Sequence, residues 1–413
     1  MPSKWLNRKC PNGTFIHLAL AIIIVGALVT HFFGMQGEIH LRADKAETVT
    51  YQSFSSLEGR SGGVSASVSL FLWDFNILYD DEGNPKDFVS ELRLLDRSNK
   101  SQMSIRLQPI ARGFAEIRND KSQMSNDKSQ MSIDSGIVRM NKPLKYHGWR
   151  FCQSDYDSDG MGVVLAYNYD PWGIGITYTG YALLLIAMIA FFFSPRTRFR
   201  ALLKSLTGGT DPAAKRSYRL VRAGLIALAV FALAMAIIMT KVVTPKPPLQ
   251  PVLQTPLLGI HVSVIMLAYT LFAIIAINGI IGLVLPSPER RERVGVLSQI
   301  LLYPALFCLT TGIFIGAVWA NMSWGRYWGW DPKETWALIT MIVYAALLHW
   351  PIIGNLGHTW KRSNSANGPA GVAGLTAKRS NTAYHIACIV AFFFVLFTYF
   401  GVSYLLGGLH SYN

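Results

Sequence analysis

The chain has 413 residues, of which 51% are hydrophobic and 15% are charged, and its formal net charge is +14. This composition is too apolar for two or three water-soluble domains and indicates membrane-spanning segments. The positive charge lies in short segments that alternate with apolar runs, which is typical of membrane topology and argues against a nucleic-acid-binding protein.

Seven apolar runs are long enough to cross about 30 Å of hydrocarbon as helices, the sixth only just. The first lacks a small-x-small cleavage pattern, so we interpret it as a span and not as a cleavable signal peptide. The predicted fold is a polytopic α-helical membrane protein with about seven transmembrane helices, at 14–34, 172–194, 218–240, 258–286, 298–320, 335–352 and 383–407.

Lysine and arginine predict the orientation of these spans. Eighteen basic residues fall on one side, eight of them in 195–222, whereas the long segment 35–171 on the other side holds 16 basic and 19 acidic residues. We therefore expect a cytoplasmic N-terminus, with the C-terminus and the segment 35–171 extracytoplasmic.

The segment 35–171 between the first two spans is predicted to form a β-rich extracytoplasmic domain, either sandwich-like or an open sheet. VSASVSLFLWDFNILY alternates partly and is rich in β-branched and aromatic residues, and DDEGNP follows it as a turn. MNKPLKYHGWRFCQSDYD and GMGVVLAYNYDP have the same character. The motif KSQMS occurs three times, at 100–104, 121–125 and 128–132, and is interpreted as a loop expansion.

Four histidines fall at two predicted depths in the membrane. His261 and His410 lie near the outer surface, whereas His17 opens the first span and His349 lies roughly 20 Å into the sixth, near the inner face. Neutral imidazole is a common axial ligand of haem iron, so each pair is a candidate haem clamp. A histidine near an interface is also commonly an ordinary interfacial residue. The remaining histidines are interpreted as structural or surface residues, with His31 an alternative member of the outer set: His31, His40, His147, His358 and His385.

The stretch WGRYWGWDPKETWALI, 324–339, contains four tryptophans, a tyrosine and four charged residues. An aromatic belt explains tryptophans at an interface, but it does not explain Asp331 and Glu334 within the cluster. Those two carboxylates are candidates either for acid–base catalysis or for ordering the loop by hydrogen bonds. Arg326 or Lys333 could meet haem propionates. The candidate aromatic faces for a porphyrin are Trp324, Trp328, Trp330 and Trp336.

These residues carry a family resemblance. WGRYWGWDPKETWALI resembles the WWD signature of haem-handling membrane proteins, and with GIHVSVIMLAY and FTYFGVSYLLGGLHSY it is similar to the CcsA (ResC) branch of the system II cytochrome c synthetases, over about 218–413. FIHLALAIIIVGALVTHFFGMQGEIHLR and MNKPLKYHGWRFCQSDYD resemble the CcsB (ResB) partner, within 1–217. The chain thus resembles a CcsBA-type fusion with a WWD loop at 321–336.

The resemblance implies a holocytochrome c synthase of the bacterial inner membrane. Such a protein exports haem b and attaches it through two thioethers to the CxxCH cysteines of apocytochrome c. The resemblance also implies that His261 and His410 are the outer axial ligands of the haem iron, and that His17 and His349 are the inner ones. The implied partners are apocytochrome c and, because this chain has no CxxC, an external thioredoxin-like reductant.

The chain departs from the family pattern in one respect, and three alternative functions stay open. The ResB pattern normally begins with two further spans, so the ResB-like part looks truncated, and another chain that supplies those spans is a candidate partner. The alternatives are a haem chaperone or exporter without ligation activity, a bis-histidine transmembrane cytochrome b, and a transporter of another anion.

Overall fold

The computed structural model describes residues 11–42, 68–96, 108–110, 114–116, 133–146, 148–207, 251–253, 255–350 and 371–406. Four sequence predictions lie outside these residues: the span 218–240, the KSQMS repeats, the proposed ligand His410 and the two surface histidines His147 and His358.

Long apolar helices form most of the described structure. They are α1 Pro11–Phe33, α2 Gly173–Phe193, α3 Arg198–Thr207, α4 Pro256–Val284, α5 Pro288–Ser323, α6 Pro332–Leu348 and α7 Gly371–Leu396. Helix α7 continues through a π-helical turn, Phe397–Gly401, into the short α8, Val402–Leu405. Proline stands in the first turn of α4, α5 and α6, where its missing N–H leaves no intrahelical hydrogen bond unmade.

Five helical stretches within the described ranges are long and apolar enough to cross a membrane: Gly13–Phe33, Gly173–Ser205, Pro256–Val284, Pro288–Ser323 and Thr382–Leu405. They correspond to five of the seven predicted spans. The predicted sixth span, 335–352, coincides with α6, which has only 17 residues and ends at Leu348. Because 17 residues rise about 26 Å, α6 is at the lower limit for a spanning helix.

The β-rich region lies between α1 and α2, as predicted. Its strands are β1 Met35–Arg42, β2 Val68–Tyr79, β3 Pro85–Asp96, β4 Gln108–Ile110, β5 Phe114–Glu116, β6 Ile133–Arg139, β7 Leu144–Tyr146, β8 Trp149–Tyr156 and β9 Gly162–Tyr169. One antiparallel sheet has the strand order β1-β9-β8-β7, a second has the order β2-β3-β6, and β4 pairs with β5. Buried residues of both larger sheets, among them Leu92, Val138, Phe151 and Leu165, share one hydrophobic core, so these sheets form a sandwich.

The helices lie with one end next to the β domain, called here the β-domain end, and the other end away from it. Helix α1 runs into β1 and α2 follows β9, so the C-terminus of α1 and the N-terminus of α2 lie at the β-domain end. The WWD loop joins it there, because Asn168 of β9 donates a hydrogen bond to the Gly325 carbonyl at 2.6 Å. The N-terminus of α1 and the C-terminus of α6 consequently lie at the opposite end.

Candidate functional site

A cavity of about 570 Å³ lies beside the WWD loop. His261 of α4 lines it together with Tyr327 and Trp328 of the loop and Lys333 and Glu334 of α6. The volume lies within the range of ordinary cofactor and ligand pockets, and the lining is mostly apolar with a few polar groups. The sequence prediction that His261 and the tryptophan-rich segment occupy the same level is thus matched by a shared cavity.

The position of His261 depends on two glycines of the facing helix. Gly312 and Gly316 form a small-xxx-small pair on α5, and a Cβ at Gly316 would stand 2.6 Å from Cε1 of the His261 ring. The absence of a side chain at Gly316 therefore makes space for the imidazole between α4 and α5. His261 Nδ1 lies 2.7 Å from the Gly312 carbonyl oxygen.

The conformation of the WWD loop is held by the two carboxylates that the sequence analysis singled out. Asp331 is the N-cap of α6 and accepts a hydrogen bond from the Lys333 N–H, and Glu334 completes a capping box. Glu334 Oε2 accepts from the N–H groups of Gly329, at 2.8 Å, and Asp331, at 3.3 Å. The geometry therefore engages both carboxylates in ordering the loop, while Glu334 also reaches the cavity wall.

The four tryptophans do not share one surface. Trp328 lines the cavity, whereas Trp324 packs edge-to-face on Trp319 of α5, with ring centres 4.8 Å apart. Trp336 lies against Phe397, with ring centres 4.3 Å apart. Of the tryptophans proposed as porphyrin contacts, Trp328 thus lines the same cavity as His261, whereas Trp324 and Trp336 pack on neighbouring helices.

Trp330 has an uncommon backbone conformation, and most of its surface is exposed. Its φ is +55°, in the left-handed region that bulky residues rarely adopt, and 70% of its surface is exposed. The ring meets Trp328 edge-to-face at 5.8 Å between centres. Backbone strain of this kind persists only where the surrounding structure imposes it. Here the capping box fixes Asp331, the residue that follows Trp330.

Arg326 lies in a second cavity, of about 340 Å³, between the WWD loop and the sheet that contains β1, β8 and β9. Trp324, Gln153 and Asn168 are also part of its wall. Arg326 is therefore placed toward the β domain, whereas Lys333 lines the larger cavity beside His261. Burial lowers the pKa of the Lys333 ammonium, and the nearby Asp331 carboxylate opposes that shift.

At the opposite end of the helices the structure brings His17 and His349 together. Their ring centres are 6.1 Å apart and the rings are steeply inclined, at 72°. His349 is the C-cap residue of α6, which ends at Leu348. The sequence analysis placed it inside a span that runs to residue 352. Two imidazoles on opposite sides of one metal ion, each with a nitrogen about 2 Å from it, have ring centres about 6 Å apart, and the observed separation equals that distance.

Three of the four proposed ligands have the same hydrogen-bond arrangement. Nδ1 of His17 lies 2.7 Å from the Gly13 carbonyl, and Nδ1 of His349 lies 2.8 Å from the Ala345 carbonyl, just as His261 meets Gly312. Because a carbonyl only accepts, Nδ1 must carry a proton in each ring, and in the tautomer with a single proton at Nδ1 the nitrogen that can bind a metal is Nε2. A ligating histidine is usually fixed in this way through its other nitrogen.

The other described histidines differ from this arrangement. His385 is only 1% exposed and packs against Gly282 of α4, with no hydrogen bond at Nδ1. His40 forms an ion pair with Asp157 within the β domain, at 2.9 Å. Both sites are consistent with the structural roles that the sequence analysis gave them.

Several cavity residues were not singled out from the sequence. They are mainly tyrosines, and the C-terminal stretch FTYFGVSYLL shows how their spacing brings Tyr399 and Ser403 to one helix face. The four-residue spacing of Tyr399 and Ser403 is visible in the sequence. It identifies them as cavity-lining residues only once the helices that face them are known. The missed lining residues include Tyr269, Tyr327, Tyr399, Ser403 and Tyr404.

Two family models match the chain in tandem. Residues 13–170 match the ResB-like family, and residues 174–366 match the family described as cytochrome C assembly protein. The second match begins at α2, and the boundary predicted at 217/218 stays a prediction.

Individual relatives match part of the chain. Protein NrfI of Wolinella succinogenes is 34% identical over 173 residues, which are 40% of this chain and 17% of NrfI. The cytochrome c biogenesis protein CcsA of Chlamydomonas reinhardtii is 35% identical over 175 residues, 40% of this chain and 43% of that protein. CcsA of Guillardia theta is 34% identical over 194 residues, 40% of this chain and 57% of that protein. The chain thus spans less than two thirds of the length of each of these relatives.

The two family matches join a ResB-like segment to a cytochrome c assembly segment, which is the arrangement of a CcsBA/ResBC-type fusion.

Proposed function

We propose that this protein acts in cytochrome c maturation by holding haem b at two sites and attaching it covalently to apocytochrome c. The observation that carries the proposal is the pair of histidines at the end opposite the β domain, His17 and His349, with ring centres 6.1 Å apart. Both rings have Nδ1 against a backbone carbonyl, which leaves Nε2 as the nitrogen suited to iron. These two residues come from the ResB-like and the assembly segments respectively.

The second site is the cavity beside the WWD loop. His261 offers Nε2 by the same tautomer argument, and Trp328 and several tyrosines supply aromatic surface for a porphyrin. Lys333 on the cavity wall is the residue we assign to a haem carboxylate, because a cation close to the N-terminus of α6 suits a negatively charged group. His410, the proposed second ligand, lies outside the described residues.

The reaction proposed at this cavity is the addition of each cysteine S–H across a haem vinyl group. One S–C bond forms, the proton goes to the other vinyl carbon, and no net oxidant or reductant is consumed in the addition. The contribution of the protein is to hold the haem edge and the CxxCH segment in contact, which can supply most of the acceleration of such a reaction. The thiols must arrive reduced, so the proposal includes an external thioredoxin-like reductant.

Asp331 and Glu334 have a supporting role in this proposal. Their hydrogen bonds cap α6 and fix the loop that carries Trp328. Glu334 also lines the cavity, so a proton-transfer role for this residue is retained as a hypothesis that a conservative substitution can test.

The proposed location is the bacterial inner membrane, with the β domain extracytoplasmic and the His17–His349 pair toward the cytoplasm. Under this orientation haem b would be taken up at the His17–His349 end and would leave as part of holocytochrome c on the β-domain side. The excess of lysine and arginine in 195–222 supports this orientation.

The test is co-expression of the chain with an apocytochrome c in a bacterium that lacks its own maturation system, followed by a haem stain of a denaturing gel. A stained band at the mass of the cytochrome is expected. Haem that co-purifies with this chain while the cytochrome stays unstained would replace the ligase proposal with a haem chaperone, or would indicate that another chain must supply further ResB-like spans. Tightly bound, redox-active haem that is never transferred would favour a transmembrane cytochrome b.

A further inference from the structure

A chain of hydrogen bonds connects a buried carboxylate of the ResB-like segment to the wall of the larger cavity. The Tyr327 hydroxyl donates to Thr30 Oγ1 at 2.8 Å, and Thr30 Oγ1 donates to Asp170 Oδ2 at 2.6 Å. Asp170 follows β9 and is 8% exposed, and its other oxygen accepts the N–H of Gly173, at 2.7 Å. Tyr327 is 5% exposed and belongs to both the WWD loop and the cavity wall.

The order of donors in this chain is fixed by the carboxylate. A carboxylate accepts hydrogen bonds and does not donate them, so Thr30 must use its single hydrogen toward Asp170 and can only accept from Tyr327. Tyr327 therefore directs its own hydrogen away from the cavity. The Thr177 hydroxyl of α2 donates to the Tyr327 oxygen at 3.3 Å, so the phenol is held by α1 and α2 together.

The surrounding packing gives the network little freedom. A Cβ on Gly26 would clash with Thr177, and one on Gly180 would lie 2.6 Å from Ile23, so α1 and α2 are in close contact through small residues. Buried hydrogen-bond networks in such surroundings stabilise a single arrangement, because an unpaired polar group there is costly.

We propose that Asp170 is a positioning residue for the larger cavity: acting through Thr30, it fixes Tyr327 in the cavity wall and holds the WWD loop against the ResB-like segment. Asp170 does not touch the bound group, and its effect on haem rests on the proposed function. The anchoring of the loop does not depend on haem and can be measured without it.

Cys152 provides the haem-independent measurement. Its thiol is 2% exposed and lies beneath Gly325, where a Cβ would stand 3.0 Å from Sγ, and burial raises the pKa of the thiol to about 12. Release of the loop would uncover this thiol. Alkylation of Cys152 in the folded full-length protein, followed by mass spectrometry of the peptide, therefore reports on the attachment of the loop.

The variants are Thr30→Val, which has the same shape without the hydroxyl, Thr30→Ser, which restores it, and Asp170→Asn, which replaces an acceptor with a donor. Thr179→Val is the matched control, because among the described residues the only hydrogen-bond partner of its hydroxyl is the Gly175 carbonyl of its own helix. We expect Thr30→Val and Asp170→Asn to raise the alkylation rate of Cys152 by about tenfold or more over the wild type, whereas Thr30→Ser and Thr179→Val stay within about twofold.

The second measurement is the haem content and absorption spectrum of each full-length variant purified in detergent. In Thr30→Val and Asp170→Asn we expect loss of the haem signal that His261→Ala also removes, with the signal that depends on His17 and His349 retained. Unchanged alkylation would overturn the anchoring, and faster alkylation with unchanged haem content and spectrum would overturn the positioning role.

The same experiments separate this inference from the proposed function. If the wild type carries haem but produces no holocytochrome, ligation fails and the positioning role is still decided by alkylation and spectrum. If the wild type binds no haem at all, the proposed function and the positioning role fail together.

Discussion

At the residue scale, three histidines are fixed in the same way by very different surroundings. His17 and His349 each meet the carbonyl four positions earlier in their own helix, whereas His261 reaches across to Gly312 of a neighbouring helix. In each case the hydrogen bond orients the ring and determines the tautomer. His385, which is buried, has no such bond at Nδ1 and packs against Gly282 of α4.

We predict that His17→Ala and His349→Ala each lower the haem content of the purified protein several-fold, because one imidazole alone holds iron weakly. Added imidazole should restore part of the signal by occupying the space left by the ring. His31→Ala is the control, because His31 is exposed and lies at the β-domain end of the same helix, and it should leave the haem signal that depends on His17 and His349 unchanged. Full haem content in both single variants would exclude the pair as ligands.

At the scale of structural elements, the short helix α6 joins the two candidate sites. Its N-terminus carries the WWD loop and its capping box, and its C-terminus ends on His349. The position of the helix is fixed at the His349 end by Arg198 of α3, whose guanidinium donates to the Leu348 carbonyl at 3.1 Å and to Gln299 Oε1 at 2.8 Å. A change at either end of α6 is therefore expected to alter the geometry of a histidine or of the loop.

For the N-terminus of α6, we predict different outcomes for Glu334→Gln and Glu334→Ala. Glutamine keeps an acceptor for the Gly329 and Asp331 N–H groups, whereas alanine removes the capping box at a cost of about 1 kcal/mol. If ordering is the main role, the glutamine variant should mature cytochrome at near the wild-type yield and the alanine variant should lose most of it. An equally large loss in both, with haem binding preserved, would instead support proton transfer by Glu334.

For the C-terminus of α6, Arg198→Ala should reduce the haem signal that depends on His17 and His349 and leave the His261-dependent signal intact. The reason is that an unsatisfied carbonyl and a released helix end let His349 move away from His17. Arg200→Ala is the matched control, since Arg200 is exposed and its guanidinium bonds only the Phe192 carbonyl within the part of the chain that the structure describes. Absorption spectra of the purified variants provide the measurement, and equal spectra for the two variants would contradict the positioning of His349 by Arg198.

At the scale of the whole molecule, the ResB-like and assembly segments interlock at both ends. On the β-domain side, Asn168 donates a hydrogen bond to the Gly325 carbonyl at 2.6 Å, and the Tyr327 hydroxyl donates to Thr30 Oγ1 at 2.8 Å. At the opposite end, His17 meets His349. The His17–His349 pair thus combines residues of both segments, whereas the larger cavity is lined by residues between 253 and 404 and contacts the ResB-like segment through Tyr327.

We predict that cutting the chain after α3 leaves the two fragments associated. A protease site inserted into 208–217, followed by cleavage of the purified protein, should yield two fragments that elute together in detergent and retain haem. Separation of the fragments without denaturant would show that the contacts between them are weak, and the uncut protein carried through the same column is the control.

The sequence by itself determined the parts of this protein that depend on composition and local pattern. Apolar runs indicate spanning helices because every backbone polar group in hydrocarbon must be satisfied internally, and five predicted spans match described helices. Alternation and turn residues such as DDEGNP predicted the β domain between α1 and α2. Asp331 followed by Glu334 is likewise a local signal for the start of a helix.

Only the tertiary structure decided which of these residues meet. The pairing of His17 with His349 joins residues more than three hundred positions apart, and the direction of each tryptophan depends on the helix it faces, so that Trp328 lines the cavity while Trp336 packs on Phe397. The network from Asp170 to Tyr327 likewise needs three elements in contact. Long-range packing selects one arrangement from many that satisfy the same local pattern, and no spacing along the chain records that selection.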